Sequence, residues 1–478
     1  MPSHPGKSGS AGTPRPTDQI EVRPAAGDEC RFGISNPDLD VEPGCPHPGP
    51  DPEELEERAG RGRPGSKNGK GFTLLRLRME PGCPHPGLMK GFIMPLSVSK
   101  RSELITQSDI RVMTLECLKV NGVNLAQGVC DTGVPEPVTR GVTAAMRDGF
   151  NTYTKYNGLP VLREAIARKM SAYNGITADP EAEITVSAGS TGALYSSFMA
   201  LLNPGDEVIV FEPYYGYHVN TLLSVDVVPR FVTLQPPDWT FTAEALERAA
   251  SPRTRGIIVC TPANPSGKVF TAAELDVIAA FAFRHDCFVF TDEIYEYFLY
   301  DGRRHISPGS RPDIRDRTIT ISGYSKTFSI TGWRIGYAVC AARWAGMIGY
   351  MNDLVYVCAP APLQVGVAAG INELPSSFYD GLRKEFDLKR DQICSTLSAI
   401  GLTPYVPQGS YYVLADTSRL PGADSKARAL HLLQKTGVAG VPGSAFFHGR
   451  EGDTLIRFCF AKTDEALTEA CRRLKTLN

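Results

Sequence analysis

Lys326 lies in the run Ser322-Gly323-Tyr324-Ser325-Lys326-Thr327-Phe328, and Arg334 follows within Thr331-Gly332-Trp333-Arg334-Ile335-Gly336. A lysine amine condenses with an aldehyde to form an imine, and an arginine fork holds a phosphate. The spacing therefore suits an aldehyde cofactor that carries a phosphate. In isolation Lys326 would serve equally well as a solvated surface charge, so its meaning depends on what other segments place beside it.

Four further segments carry matching chemistry. Gly189-Ser190-Thr191, at the start of a helix pattern, offers backbone N–H groups, hydroxyls and the positive dipole end to a phosphate; alone it would be an ordinary helix cap. Asp292 can keep a pyridine nitrogen protonated and so make the ring an electron sink, or can simply form a turn. Asn264 and Tyr295 can hydrogen-bond a phenolic ring oxygen, and Tyr215 can stack on the ring face. Together these parts specify pyridoxal 5'-phosphate.

The elements that must position them form an alternation of strands and helices, the pattern of a layered α/β protein. Strands are expected at 183–186, 207–211, 256–260, 287–290 and 318–321. An apolar helix is expected from Ala193 to Leu202, and Thr271-Ala272-Ala273-Glu274 is a capping box opening a helix to about Arg284. Runs such as Cys287-Phe288-Val289-Phe290 are apolar throughout, as in strands of a mostly parallel sheet covered on both faces. Gly189 to Thr191, Tyr214-Tyr215, Asn264, Asp292 and Lys326 all fall just past the carboxyl ends of separate strands. Ligands of parallel α/β sheets bind along that edge.

These motifs resemble the fold type I, class I/II aminotransferases, of the aspartate and kynurenine aminotransferase kind. The likeness covers about residues 100–476 and is carried by Ser325-Lys326-Thr327-Phe328 with Thr331-Gly332-Trp333-Arg334-Ile335-Gly336, by Asn264-Pro265-Ser266-Gly267, and by Asp292-Glu293-Ile294-Tyr295. The resemblance implies Lys326 as the Schiff-base lysine, Asp292 as partner of the pyridinium nitrogen, Arg334 as a phosphate ligand, and Asn264 with Tyr295 on the phenolic oxygen. It also implies Tyr215 as the stacking aromatic. Tyr153, in Asn151-Thr152-Tyr153-Thr154, matches a tyrosine that reaches the neighbouring subunit's phosphate, and so implies a homodimer with its active site at the interface. Arg457, in Leu455-Ile456-Arg457-Phe458, matches the arginine that grips the substrate α-carboxylate, for which a guanidinium fork is suited; the bland alternative is a surface arginine on an edge strand. Gln127-Gly128 matches a close backbone approach to the same carboxylate. The chain departs from the pattern at Gly323, where many relatives place a phosphate-binding serine; Ser322 and Ser325 are the hydroxyls available to replace it.

The implied activity is ping-pong transamination between an L-amino acid and a 2-oxo acid. A C–S β-lyase or another Cα-carbanion enzyme would share every cofactor residue. A transcription regulator would need a winged helix that the N-terminal composition does not supply. Tyr214, Tyr217, Tyr411, Tyr412 and Phe446 are candidates for either a substrate pocket or the core, and no motif places a second arginine for a distal carboxylate.

With 478 residues, 42% hydrophobic and 21% charged, the chain is long enough for two or more domains. The expected large domain spans 151–376, and the small one joins 95–150 to 377–478. A net charge of -2 gives no reason for nucleic-acid or membrane binding. No stretch approaches the roughly 20 apolar residues of a membrane helix, and the scattered cysteines read as reduced core residues, which together point to the cytoplasm. Residues 1–93 hold 15 of the 37 prolines and 15 of the 46 glycines, a composition expected to be disordered. Within them Glu42-Pro43-Gly44-Cys45-Pro46-His47-Pro48-Gly49 recurs as Glu80-Pro81-Gly82-Cys83-Pro84-His85-Pro86-Gly87. Proline between the would-be ligands and the distance between the copies argue against a zinc site, and no metal is expected. Met94 is a natural alternative start.

Overall fold

A computed structural model describes residues 96–105 and 107–477. The Pro/Gly-rich segment, its duplicated Cys-Pro-His units and Met94 lie outside them. The central sheet contains β1 (Ile184–Ala188), β2 (Glu207–Glu212), β3 (Val228–Thr233), β4 (Thr254–Cys260), β5 (Phe288–Asp292), β6 (Thr318–Gly323) and β7 (Ile335–Val339). Their spatial order is β1-β7-β6-β5-β4-β2-β3. Strands β2 to β6 pair in parallel, whereas β7 is antiparallel to both β1 and β6. The sheet is thus mostly parallel, with one reversed strand beside the strand that leads to Lys326. Val208, Ile209, Ile257, Val259, Val289 and Ile319 are fully buried, as uninterrupted apolar runs require when helices cover both faces.

Six helices bear on the site: α1 (Asp109–Lys119), α2 (Gly189–Leu201), α3 (Gly216–Ser224), α4 (Ala272–Arg284), α5 (Ala342–Tyr356) and α6 (Ser376–Ala399). The capping box of α4 is formed: Glu274 N–H donates to Thr271 Oγ1 at 3.2 Å and Thr271 N–H to Glu274 Oε2 at 2.9 Å. Helix α2 begins at Gly189 rather than at Ala193, because the Gly-Ser-Thr segment is already its first turn. Phe386 of the long helix α6 is fully buried, with Phe378 and Leu382 partly so.

A second sheet, antiparallel throughout, orders β8 (Thr403–Tyr405), β9 (Tyr412–Asp416), β10 (Val441–Pro442) and β11 (Leu455–Cys459) as β10-β11-β9-β8. Val123–Asn124 pairs in parallel with Val438–Ala439, which ties the segment after α1 to the C-terminal part of the chain. One apolar core runs from Ile257 and Phe281 through Phe386 to Phe458 and Leu467.

The first turn of α2 approaches β6 and β7 backbone to backbone. A Cβ on Gly336 would overlap Ser190 N and the Gly189 carbonyl carbon, and one on Gly323 would lie 2.9 Å from Ile335 O, 3.0 Å from Gly336 Cα and 3.2 Å from Ser190 Oγ. Only residues without side chains allow this contact, since backbone atoms have no rotamer with which to yield. We expect Gly336→Ala to destabilise the protein by about 1–3 kcal/mol in denaturant unfolding. Gly381→Ala, at a helical position with no atom within 4 Å of the added Cβ, should instead stabilise by up to about 1 kcal/mol. Equal effects at the two sites would refute the packing argument.

Candidate active site

The carboxyl edge of the central sheet opens into a cavity of about 570 Å³, within the usual range for small-molecule sites. Its wall combines loops that leave the strand ends of this sheet with residues of α1 and of the second sheet. Lys326, just beyond β6, is part of that wall, and its Nζ donates to Gly128 O at 3.1 Å. Burial holds the Lys326 amine below its ordinary pKa of 10.5, and the Arg334 charge adds to this while Asp292 opposes it.

Asp292 ends β5, with Oδ2 2.9 Å from Nε2 of buried His218. His218 lies in the first turn of α3, whose N-cap is Tyr215. The Tyr215 ring meets His218 edge-on at 5.5 Å and stacks with Tyr217 at 5.2 Å. His218 is a site residue that the motifs did not reveal. The available signal was a histidine three positions after the stacking tyrosine, where a new helix projects it toward the same strand edge.

At the opposite wall stands Arg457, on β11. The register pairs it with Leu414 of β9 and Val441 of β10, so its strand is internal, and the edge-strand alternative is ruled out. The side chain is fully buried. Its Nη1 donates to Asn264 Oδ1 at 2.9 Å and its Nη2 to Ala126 O at 2.6 Å. The guanidinium lies 4.2 Å from the Tyr412 ring centroid and 5.0 Å from that of Phe446. Arg457 Nε has no partner, and no carboxylate among the described residues pairs with the guanidinium. A buried cation left this way is built to receive an anion.

Gly128 lines the cavity, and a Cβ there would run into the Tyr412 hydroxyl. Tyr412 Oη in turn lies 3.1 Å from Tyr295 Oη, and burial raises both hydroxyls above the ordinary tyrosine pKa, keeping them protonated. Of the five aromatic candidates, Tyr217 and Tyr412 line the cavity. Tyr214 packs on Phe231, Tyr411 is core with its hydroxyl on Gly128 O at 3.2 Å, and Phe446 borders a smaller adjoining cavity.

The phosphate end gathers Ser190, Thr191, Ser325, Thr331 and Arg334. Arg334 holds a left-handed backbone (φ 59°) and donates to Thr331 O at 2.9 Å. Gly189 has φ 74°, and a Cβ there would run into the Arg334 guanidinium. Ser322 does not belong to this group. On β6 side chains alternate between faces: Ile321 faces the cavity, whereas Ser322 Oγ points the other way, to Glu293 O at 3.2 Å and Glu296 Oε1 at 3.0 Å. Glu296 is itself held by Lys169 Nζ at 2.5 Å and Asn174 Nδ2 at 2.8 Å, so Ser322 serves a buried polar network behind the strand. Ser190 Oγ, by contrast, stands 3.2 Å from where a Cβ on Gly323 would be, close to the place of the missing hydroxyl. Tyr153 is 83% exposed and does not line the cavity of its own chain.

This donor set fits pyridoxal phosphate. A cradle that any side chain at position 189 would fill, the N-terminus of a 13-residue helix and an arginine without a carboxylate partner among the described residues suit a phosphate. A half-buried lysine amine and a histidine-supported aspartate line the same cavity.

Residues 120–474 match the family model for class I and II aminotransferases. Kynurenine–oxoglutarate transaminase 3 of Rattus norvegicus is 34% identical over 386 residues, which cover 74% of this chain and 85% of the relative. Among solved structures, N-succinyldiaminopimelate aminotransferase of Mycobacterium tuberculosis superposes with a TM-score of 0.77 at 32% identity, covering 80% of this chain and all (100%) of that one. An Escherichia coli protein with a methionine aminotransferase function gives a TM-score of 0.76 at 30% identity, again covering 80% and 100%. The match over the whole described fold, with the lysine, aspartate and arginine in one cavity, makes this chain a member of the class I and II aminotransferases, enzymes of fold type I that use pyridoxal phosphate.

Proposed function

We propose that Lys326 is the catalytic amine of this aminotransferase, working in a ping-pong exchange between an L-amino acid and a 2-oxo acid. The observation that carries the proposal is the convergence of Lys326, Asp292 with His218, Arg334 and Arg457 on one cavity from distant parts of the sequence. Pyridoxal phosphate, when bound, supplies an aldehyde and an electron-withdrawing ring that stabilises negative charge at the substrate Cα.

The chain's residues do the rest. Gly189, Ser190, Thr191, Ser325 and Arg334 hold the phosphate, with Ser190 in place of the serine that relatives carry at position 323. Asp292, oriented by His218, keeps a proton on the ring nitrogen. Tyr295, steadied by Tyr412, and Asn264 donate toward the phenolic oxygen, and Tyr215 covers the ring face. Arg457 and Gly128 seat the α-carboxylate, with Asn264 bridging both groups of ligands. Lys326 Nζ would be the group that bonds the cofactor's aldehyde and is released when a substrate amine takes its place. It then takes up and returns the Cα proton, a task for which its lowered pKa suits it near neutral pH.

The same reading makes the enzyme a homodimer. Tyr153 is exposed, and α5 carries exposed Met347, Tyr350, Leu354 and Val355, an apolar face of the kind subunit interfaces cover. The division into a large part, 151–376, and a small part combining 95–150 with 377–478 assigns the cofactor chiefly to the first and Gly128, Tyr412 and Arg457 to the second. Nine cysteines among the described residues are free thiols, which supports a reducing, cytoplasmic setting; no helix among these residues is long and apolar enough to cross a membrane.

Two measurements test these assignments. Cofactor incorporation into the stripped enzyme needs the neutral amine, so its rate should rise with pH around a midpoint below 10.5. Lys326→Ala should neither show the rise nor retain cofactor after borohydride reduction, and undiminished turnover by that variant would sink the mechanism. Tyr153→Phe should weaken cofactor binding by about 10-fold or more, the worth of a hydrogen bond to a charged group. Light scattering should still report a dimer, and a monomeric wild-type mass would remove Tyr153 from the site.

A further inference from the structure

Four cationic side chains line the cavity, Lys326, Arg334, Arg457 and Arg111, against one carboxylate, Asp292. On the proposed function, on which this inference rests, three of the four have partners. The phosphate would meet Arg334, the α-carboxylate would meet Arg457, and Lys326 would be engaged by the aldehyde, while Asp292 would serve the ring nitrogen. Arg111 is left over.

Its surroundings show no other employment. Arg111 is in the first turn of α1, exposed and lining the cavity, and its side chain has no hydrogen bond or ion pair to any described residue. Two basic residues of the neighbouring segments have acidic partners, Arg101 with Asp226 and Lys119 with Glu116. The adjacent carboxylate that could neutralise it, Asp109, is taken by Lys426 at 3.2 Å. Helix α1 is also fixed relative to the α-carboxylate pocket. Met113 and Cys117 anchor it in the core, Asn124 Nδ2 donates to Thr114 Oγ1 at 3.2 Å, and Asn124 Oδ1 accepts from Ala126 N–H at 2.9 Å and Gln127 N–H at 3.2 Å. Ala126 is the residue whose carbonyl holds Arg457. One short chain of bonds thus sets Arg111 against Arg457, two cations facing one substrate space.

We propose that Arg111 receives a second carboxylate, at the far end of the substrate side chain, and that the enzyme therefore selects dicarboxylic amino acids and 2-oxo acids. The holoenzyme, Arg111→Gln and Arg111→Lys are compared by the spectral change of bound cofactor on adding L-glutamate or L-glutamine, which differ in charge but hardly in shape. The expected wild type prefers glutamate, with a KM that rises with ionic strength. In Arg111→Gln the ratio of kcat/KM for glutamate to that for glutamine should fall by about 10- to 100-fold, and Arg111→Lys should recover part of it. A wild type that uses both donors equally, or a variant that loses both equally, overturns the proposal. Conversion by either donor shows the transamination site intact whichever way the ratio falls; conversion by neither, in wild type as well, overturns the site reading and Arg111's role with it.

Discussion

The site depends on the backbone contact between the first turn of α2 and strands β6 and β7. Because positions 189, 323 and 336 have no side chains, the helix start can lie directly on the strands, with its free N–H groups at the same level as Lys326 and Arg334. A phosphate seated there fixes where the attached ring must lie, and hence which residues can be its partners. On the proposed function, Asp292 on the next strand, Asn264 one strand further and Tyr215 beyond that would meet the ring in the order of the sheet. Parallel pairing of β2, β4, β5 and β6 brings all these carboxyl ends to one edge.

A second constraint is charge. Burying a guanidinium costs several kcal/mol unless it is paired, and Arg457 recovers only part of that through Asn264, Ala126 and two aromatic faces. Its unpartnered Nε is thus a stored preference for an anionic ligand. Lys326 shows the complementary solution. With the amine drawn out of water, the charged form is disfavoured, and more of the amine is neutral at a given pH, the form that can attack a carbonyl or accept a proton. The Lys169–Glu296 pair behind β6 shows what a buried charge looks like when its role is structural: both partners are present, with Ser322 and Asn174 completing the shell.

Much of this was legible in the sequence, and the exceptions share a cause. The strand–loop–helix rhythm, the α4 capping box and the placing of Asp292, Asn264 and Lys326 at strand ends follow from local pattern, because apolar runs and caps are decided by neighbouring residues. Ser322 was misplaced since facing depends on strand register, and a shift of one residue turns a side chain to the opposite face. The start of α2 was set four residues late because its first turn is defined by tertiary contact rather than by apolar periodicity. His218 and Arg111 escaped notice for the same reason. Neither belongs to a motif that carries chemistry on its own, and each becomes functional only through what the fold sets opposite it.

The division of labour along the chain follows from this geometry. On the proposed function, the groups for the cofactor come chiefly from residues 189–334, at the edge of the central sheet, where neighbouring strands fix each position. Those for the substrate come from 111–128 and 412–457, tied to one another through Asn124, Ala126 and Arg457. Hydrogen bonds join the two sets: Arg457 to Asn264, Lys326 to Gly128, and Tyr295 with Tyr412. A change in the substrate-facing segment can therefore alter which side chain is accepted while leaving Asp292, His218 and Lys326 in place. On the proposed function, the α-carboxylate and ring contacts would be common to every amino acid, whereas Arg111 of α1, across the same cavity, would meet only the part that differs between them.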